Sequence, residues 1–170
     1  MAELTVPDVR FRVSFLEAMR EFADDAFAGR TLARELAEHG DSWHDADGFA
    51  RYVAAVRSDS EADCYWWVDG DAFLGRIRIR RRITSPADDL AGHIGYGVRP
   101  GARRRGHATG MLRAVLLHAA DLGIDPALVT CDTANTGSRK VIEAAGGVLE
   151  DERDGKLRYW VPTGRIQSGR

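Results

Sequence analysis

Apolar residues along this chain of 170 residues recur at two spacings, one typical of helices and the other typical of strands. Spacings of three and four residues predict helices over 13–27, 31–39, 47–57 and 106–122. Alternating or continuous apolar runs predict strands over 4–6, 65–68, 72–83, 93–98 and 128–132. The segment 84–90 contains Pro86 and two aspartates, and it is predicted to be a loop.

The last forty residues predict one further helix and a pair of strands. Asn135 is a suitable N-cap for a helix that stops at Gly146-Gly147. Residues 148–149 and 156–161 flank the turn signal Asp154-Gly155. The order of elements therefore predicts an α/β (α+β) fold, with a mixed, mostly antiparallel central sheet flanked by helices.

Length and composition favour one globular domain over 1–170, because 44% of the residues are apolar and 29% are charged. The net charge of −2 argues against a nucleic-acid-binding surface, although four arginines alternate along 76–82. Cys64 and Cys131 lie in apolar runs and predict buried thiols, without metal-ligand spacing. We expect a cytoplasmic protein with no membrane partner, because neither a signal peptide nor a long apolar run is present.

The segment from Val98 to Gly110 carries the strongest chemical signal. A predicted strand ends there, three consecutive arginines follow, and a helix begins near Gly106. Free N–H groups at a helix N-terminus and adjacent cations both bind phosphate. Gly101 and Gly106 have the spacing of a P-loop, but His107-Ala108 replaces its Lys-Ser/Thr, so nucleotide hydrolysis is not expected.

Two motifs in this half of the chain resemble one family. Arg103-x-x-Gly106-x-Ala108 resembles the pyrophosphate loop Gln/Arg-x-x-Gly-x-Gly/Ala of the GNAT superfamily of N-acetyltransferases. The segment from Asn135 to Gly147 is similar to the distal motif of the same family. The resemblance covers roughly residues 92–150. It implies an acyltransferase that uses acetyl-CoA without a metal, and a sheet in which strands 4 and 5 splay apart.

The resemblance assigns the cofactor-binding residues one by one. It places the Val98 amide at the thioester oxygen and Asn135 at the pantetheine arm, where Asn135 is also a plain helix cap. Ser138 has the same two roles open to it. The predicted cofactor-binding residues are Val98, Arg99, Arg103, Arg104, Arg105, Gly106, His107, Ala108, Thr109, Gly110, Asn135 and Ser138.

Catalysis needs a group that accepts the proton of the amine, whose unperturbed pKa is about 10.4. The candidates are His93, Tyr96 and Asp132, each of which also has a structural interpretation, as a strand histidine, a packing residue and a turn residue. Many family members have a tyrosine in the distal helix that protonates the leaving thiolate, but this chain has Ile142 there. Tyr96, Tyr159 or water would have to replace it, or the thiolate leaves unprotonated.

The expected acceptor is a small-molecule or peptide amine, and the expected state is a monomer or homodimer. In GNAT enzymes the acceptor usually lies against the N-terminal helices and the loop between strands 3 and 4. Acidic residues in these regions of this chain would favour a cationic amine, unless they form an ordinary solvated surface. These residues are Glu35, Glu38, Asp41, Asp45, Asp47, Asp88 and Asp89. The alternative function is a GNAT-fold module that binds acyl-CoA as a sensor without turnover.

Overall fold

The computed structural model describes residues 1–25 and 29–164, so the predicted end of the first helix at Phe27 lies outside the described residues. The strands of the described part are β1 Glu3–Thr5, β2 Ala62–Asp69, β3 Ala72–Arg80, β4 Ile94–Val98, β5 Ala127–Asp132, β6 Val148–Arg153 and β7 Lys156–Val161. Its α-helices are α1 Arg12–Ala23, α2 Gly29–His39, α3 Ala46–Arg57, α4 Pro86–Ala91, α5 His107–Asp121 and α6 Thr136–Ala144. None of the helices in the described ranges is long and apolar enough to cross a membrane.

Most of the segment predicted as a loop, 84–90, belongs to helix α4, so that prediction was wrong. The Ser85 side chain accepts a hydrogen bond from the backbone N–H of Asp88, and Pro86 occupies the first helical position. Serine at the N-cap followed by proline is a recognised helix start. The helix has six residues, which is too short to show a helical period. Strand β3 accordingly ends at Arg80 instead of 83.

The strand order of the sheet is β1-β2-β3-β4-β5-β7-β6. The pairs β1–β2, β5–β7 and β6–β7 are antiparallel, whereas β4 and β5 are parallel. This arrangement confirms the predicted mixed, mostly antiparallel sheet. The parallel register of β4 and β5 consists of one residue pair, Ile94 with Val129, in the described chain. A register that ends after one pair agrees with strands that splay apart.

The chain forms two compact units. The first contains residues 1–77 and 97–107, and its core is an aromatic cluster around the fully buried Phe15. The ring of Phe15 lies 5.1 to 5.8 Å, centroid to centroid, from the rings of Trp43, Phe49, Tyr52, Trp66 and Phe73. Such clusters bury large apolar areas, so they fix α1 and α3 against β2 and β3.

The second unit contains residues 78–96 and the described residues from 108 onward. Its core joins one face of α5 to the inner residues of β5 and β7. The fully buried residues of these three elements include Met111, Leu112, Val115, Ala119, Leu128, Val129 and Val161. The helical spacing in α5 and the continuous apolar run in β5 explain why the sequence predicted both elements.

Candidate functional site

Strand β4 passes into α5 through a tight basic loop. Residues Pro100–Ala102 form one turn of 3-10 helix. Beyond it, Arg104 has φ 63° and Gly106 has φ 81°. Both values lie in the left-handed region, which residues other than glycine seldom adopt. The loop therefore turns the chain within a few residues, and His107 becomes the first residue of α5.

The loop leaves space where a phosphate group would approach the backbone. A Cβ atom added at Gly106 would meet no heavy atom of the described protein within 4 Å. The first four N–H groups of any α-helix have no partner within the helix, and here they belong to the turn that starts at His107. The half-buried Ala108, Thr109 and Gly110 complete that turn. The residues present therefore fit a pyrophosphate.

Arg99 is held by α1 and β3. Its guanidinium donates to one oxygen of Glu21 from Nε at 3.1 Å and from Nη2 at 2.6 Å, and to the Phe73 carbonyl at 3.2 Å. The other oxygen of Glu21 accepts the backbone N–H of Gly101 at 2.8 Å. The hydrogen bond from Arg99 holds the pKa of Glu21 below its usual value, so this carboxyl stays ionised.

Arg103 is held in the same way, one turn further along the chain. It donates to both oxygens of Asp25, at 2.9 and 2.6 Å, and its Nε donates to the Val98 carbonyl at 3.1 Å. A bidentate contact between a guanidinium and a carboxylate fixes the relative orientation of the two groups. Its hydrogen bonds to Asp25 raise the pKa of Arg103 further. Both guanidinium groups already have carboxylate partners. The predicted contacts of Arg99 and Arg103 with phosphate stay predictions.

The exposed cations of the loop are Arg104 and Arg105. They lie between the anchored Arg103 and Gly106, directly before the N-terminus of α5. Of the three consecutive arginines, these two best match the predicted cationic rim, because neither side chain is packed into the protein.

The His107 side chain is fixed by a tryptophan. The indole N–H of Trp67 donates to Nδ1 of His107 at 3.1 Å. Because an indole N–H can only donate, Nδ1 must be the acceptor and the proton of the neutral ring lies on Nε2. Trp67 lies on β2 and is 8% exposed. Its hydrogen bond to His107 therefore fixes the first residue of α5 relative to β2.

The backbone of Val98 is oriented by β3. The N–H of Arg99 donates to the Leu74 carbonyl at 2.8 Å. Because N–H groups alternate in direction along a strand, the Val98 N–H points to the opposite edge of β4. That direction is compatible with the oxyanion role predicted for Val98.

Asn135, Ser138 and Tyr96 form a connected polar group in the second unit. The side-chain oxygen of Asn135 accepts the N–H of Ser138 at 3.1 Å, which caps α6. The hydroxyl oxygens of Tyr96 and Ser138 lie 2.7 Å apart. Burial raises the pKa of Tyr96 to about 12. The structure thus shows the capping role of Asn135, and the cofactor contacts of Asn135 and Ser138 stay predictions.

The two cysteines form no disulfide. Cys131 is 6% exposed, and burial raises the pKa of its thiol. The prediction of a buried thiol is confirmed for Cys131, whereas Cys64 is only half-buried. A buried thiol of raised pKa is a weak nucleophile at neutral pH.

His93 is constrained by the backbone of β5. Its Nδ1 accepts the N–H of Leu128 at 2.9 Å, so the proton of the neutral ring lies on Nε2. Burial lowers the pKa of His93. Both ring nitrogens are therefore unsuited to accept a further proton, and the structural interpretation of His93 is favoured over the predicted catalytic one.

Asp132, at the end of β5, forms an ion pair with Lys156 on β7 at 2.5 Å, and 43% of its side chain is exposed. Its role as general base stays a prediction.

Ile142 occupies the position that carries a tyrosine in many GNAT enzymes, and its aliphatic side chain is fully buried. Tyr159, the more distant candidate acid, donates its hydroxyl to Glu143 at 3.0 Å, and Glu143 also accepts from Arg139 at 3.0 Å. The Tyr159 hydroxyl thus already donates its hydrogen bond within the second unit. Tyr96 is the tyrosine to test as a donor to the leaving thiolate.

Most of the acidic residues expected to attract a cationic amine have partners within the protein. The observed contacts are Glu35 with Arg76 and Tyr52, Glu38 with Arg34, Asp45 with the N-terminus of α3, Asp88 with Arg80, and Asp89 with Arg153 and Arg158. These carboxylates serve the fold, so their number does not predict a cationic acceptor. No group of three or more metal-ligating side chains is found in the described ranges.

Comparison with known proteins assigns the family. The model of the family described as "Acetyltransferase (GNAT) domain" matches residues 15–148. The chain belongs to the GNAT acetyltransferase family. This match confirms the family predicted from the two motifs, and it extends into the N-terminal half, where the sequence offered no motif. A search of curated proteins gave no match.

Solved structures of other GNAT proteins share the fold. Mycobacterium smegmatis RimJ in complex with CoA-disulfide has a TM-score of 0.68 at 17% identity, over 98% of this chain and 84% of that one. The PaiA N-acetyltransferase of Thermoplasma acidophilum in complex with coenzyme A has a TM-score of 0.66 at 11% identity, over 95% and 99%. Campylobacter jejuni N-acetyltransferase PseH in complex with acetyl coenzyme A has a TM-score of 0.57 at 11% identity, over 96% and 100%. At such identities the likeness shows the fold.

Sequence reasoning missed three residues that shape the loop: Glu21, Asp25 and Trp67. Glu21 and Asp25 are four residues apart, as are their partners Arg99 and Arg103, so each pair spans 78 positions. Two acids four residues apart within the predicted helix 13–27, and two arginines at the same spacing, were the available signal. For Trp67 the sequence carried none, because its strand predicts burial alone.

Proposed function

We propose that this protein transfers the acetyl group of acetyl-CoA directly to a primary amine. The observation that carries the proposal is the preformed basic loop, with open space at Gly106, at the start of α5 in a chain of the GNAT family. Acetyl-CoA, when bound, supplies an acetyl group already activated as a thioester. Binding of coenzyme A or acetyl coenzyme A by PaiA and PseH supports this choice of donor.

The pyrophosphate is held by the first N–H groups of α5, with Arg104 and Arg105 beside them. The helix N-terminus carries partial positive charge, and the two exposed guanidinium groups add full charges. The Val98 N–H donates to the thioester oxygen as negative charge develops there. It needs no reorganisation for this, because the hydrogen bond from Arg99 to Leu74 fixes its direction.

The amine must reach the thioester without its proton. Nδ1 of His93 is occupied by the Leu128 N–H, and Asp132 is paired with Lys156. We therefore expect no strong general base, and we expect the rate to follow the fraction of neutral amine as pH rises towards about 10.4.

The leaving thiolate is stabilised without a tyrosine in α6. The hydroxyl of Tyr96 has a pKa of about 12, so it stays protonated across the working range and can donate a hydrogen bond. Full proton transfer from Tyr96 to a thiolate whose thiol pKa is near 8.5 would be uphill. Tyr96 is therefore expected to assist departure modestly, as a donor and not as an acid that gives up its proton.

One observation favours a second function, that of an acyl-CoA sensor without turnover. His93 and Asp132, two of the three candidate bases, have partners, and the distal tyrosine is absent. A sensor would bind acetyl-CoA as tightly as the enzyme does, but no amine would accelerate the release of CoA.

The test is acetyl-CoA turnover with a panel of acceptors: small amines, polyamines, aminoglycosides and peptides with free N-termini. We expect at least one of them to increase thiol release above the rate of hydrolysis alone, and to become acetylated. Saturable acetyl-CoA binding with no accelerating amine would favour the sensor, and absence of binding would exclude both functions.

A further inference from the structure

Two carboxylates, Glu21 on α1 and Asp25 just beyond its C-terminus, brace the basic loop. We call Glu21 and Asp25 the carboxylate clamp. Glu21 accepts three hydrogen bonds, two from the Arg99 guanidinium and one from the Gly101 backbone. Asp25 accepts two from Arg103. The clamp therefore grips the loop on both sides of the 3-10 turn Pro100–Ala102.

This arrangement places negative charge next to a loop suited to bind an anion. Simple electrostatics would make each carboxylate a hindrance, because like charges repel. The clamp also neutralises Arg99 and Arg103, so the positive charge left for a ligand belongs to Arg104 and Arg105. A site meant only to maximise attraction to phosphate would lack these two acids.

The geometry of the loop explains why the acids are useful. Arg104 is held in the left-handed region at φ 63°, which is unfavourable for a side chain of its size. A strained backbone conformation persists only where surrounding contacts determine it. The bonds from Arg99, Gly101 and Arg103 to the clamp fix the residues before Arg104, and through them the direction in which the N–H groups after it point.

We propose that Glu21 and Asp25 are positioning residues for the phosphate-bearing donor: they hold the loop in its binding conformation and raise its affinity despite their negative charge. The inference rests on the proposed function, because it assumes that this loop binds acetyl-CoA. It goes beyond that function by assigning a role to residues outside both family motifs.

The experiment measures the dissociation constant for acetyl-CoA by calorimetry in wild type, Glu21→Gln and Asp25→Asn. Each substitution removes a negative charge and keeps the shape of the side chain. We expect affinity to fall about tenfold or more in each, because charge-assisted hydrogen bonds are lost from both partners. Asp24→Asn is the matched control, since Asp24 is exposed and makes none of these contacts. We expect it to bind within about twofold of wild type.

Further measurements separate positioning from a general loss of structure. The KM for acetyl-CoA should rise while kcat at saturation stays near the wild-type value, and Asp25→Glu should recover part of the affinity. A double-mutant cycle combines Asp25→Asn with Arg103→Gln. The losses of acetyl-CoA affinity in the two single variants should not add in the double variant, because each variant breaks the same contact between Asp25 and Arg103. If a clamp variant does not fold, the cycle is run with Asp25→Glu and Arg103→Lys, which keep both charges.

The outcomes distinguish the clamp from the function. Folded clamp variants that bind as tightly as Asp24→Asn, or more tightly, would overturn the clamp and leave the function standing. Losses that add in the cycle would likewise overturn it, because Arg103 would then act on the ligand independently of Asp25. A wild-type protein that does not bind acetyl-CoA would instead overturn the proposed function.

Discussion

Substituting Gly106 by alanine separates the folding role of the loop from its binding role. Gly106 has φ 81°, so an alanine there adopts a left-handed conformation that costs about 1 to 2 kcal/mol. No clash adds to this cost, because the new Cβ meets no described protein atom within 4 Å. In a chain of this size each kcal/mol lowers Tm by about 2 to 4 °C. We therefore expect a drop of about 2 to 8 °C and a folded protein.

Binding should respond much more strongly than stability. Wild type should gain about 2.7 kcal/mol of stability at a hundredfold excess of acetyl-CoA over its dissociation constant. The added Cβ occupies space that the pyrophosphate needs, so Gly106→Ala should show little or no gain at the same concentration. Gly106→Val, with a branched Cβ, should lose any remaining response.

Gly155→Ala is the matched control for this measurement, made by differential scanning fluorimetry with and without acetyl-CoA. Gly155 lies in the turn between β6 and β7 and has φ 75°, and a Cβ atom added there would also meet no described protein atom within 4 Å. It should lose similar stability and keep the full ligand response. Equal ligand responses in Gly106→Ala and Gly155→Ala would refute the assignment of the pyrophosphate to this loop.

Three further predictions concern the donor, the leaving group and pH. Pantetheine should stabilise the protein far less than acetyl-CoA in thermal-shift assays, because the basic loop has no phosphate to hold; equal shifts would contradict this. Tyr96→Phe should lower kcat by less than the ~10²–10⁴-fold typical of a lost general acid, and the rate should keep rising with pH. If the wild-type pH profile has a descending alkaline limb that vanishes in Tyr96→Phe, Tyr96 acts as a general acid. Because the folded pKa of His93 is lowered, stability should fall as pH drops below about 6.5, and His93→Asn should weaken that dependence in urea titrations at several pH values.

Most local elements of the fold could be predicted from the sequence, because they have their own hydrophobic period or cap. The face of α5 and the run of β5 carry clear patterns, and Asn135 marks the start of α6. Helix α4 was missed because six residues hold less than two turns, so the cap at Ser85 was its main signal. The strand order also depends on pairings that no local pattern specifies.

The candidate site was readable only where its chemistry is local. The loop from Val98 to Gly110 combines cations, glycines and a helix start within one segment, so a phosphate-binding role could be predicted for it. The partners of its side chains could not, because the contacts of Arg103 with Asp25 and of His107 with Trp67 join residues 78 and 40 positions apart. Three consecutive arginines looked equivalent in sequence, but the structure distinguishes the anchored Arg103 from the exposed Arg104 and Arg105.

The most direct test of the proposed function is acetyl transfer itself, measured by mass spectrometry with acetyl-labelled acetyl-CoA and the amine panel. We predict that one class of primary amine gains the labelled acetyl group on nitrogen, in an amount equal to the CoA released. Labelled acetate as the product with every amine, or no consumption of acetyl-CoA by a protein that binds it, would contradict the claim that this chain is an N-acetyltransferase.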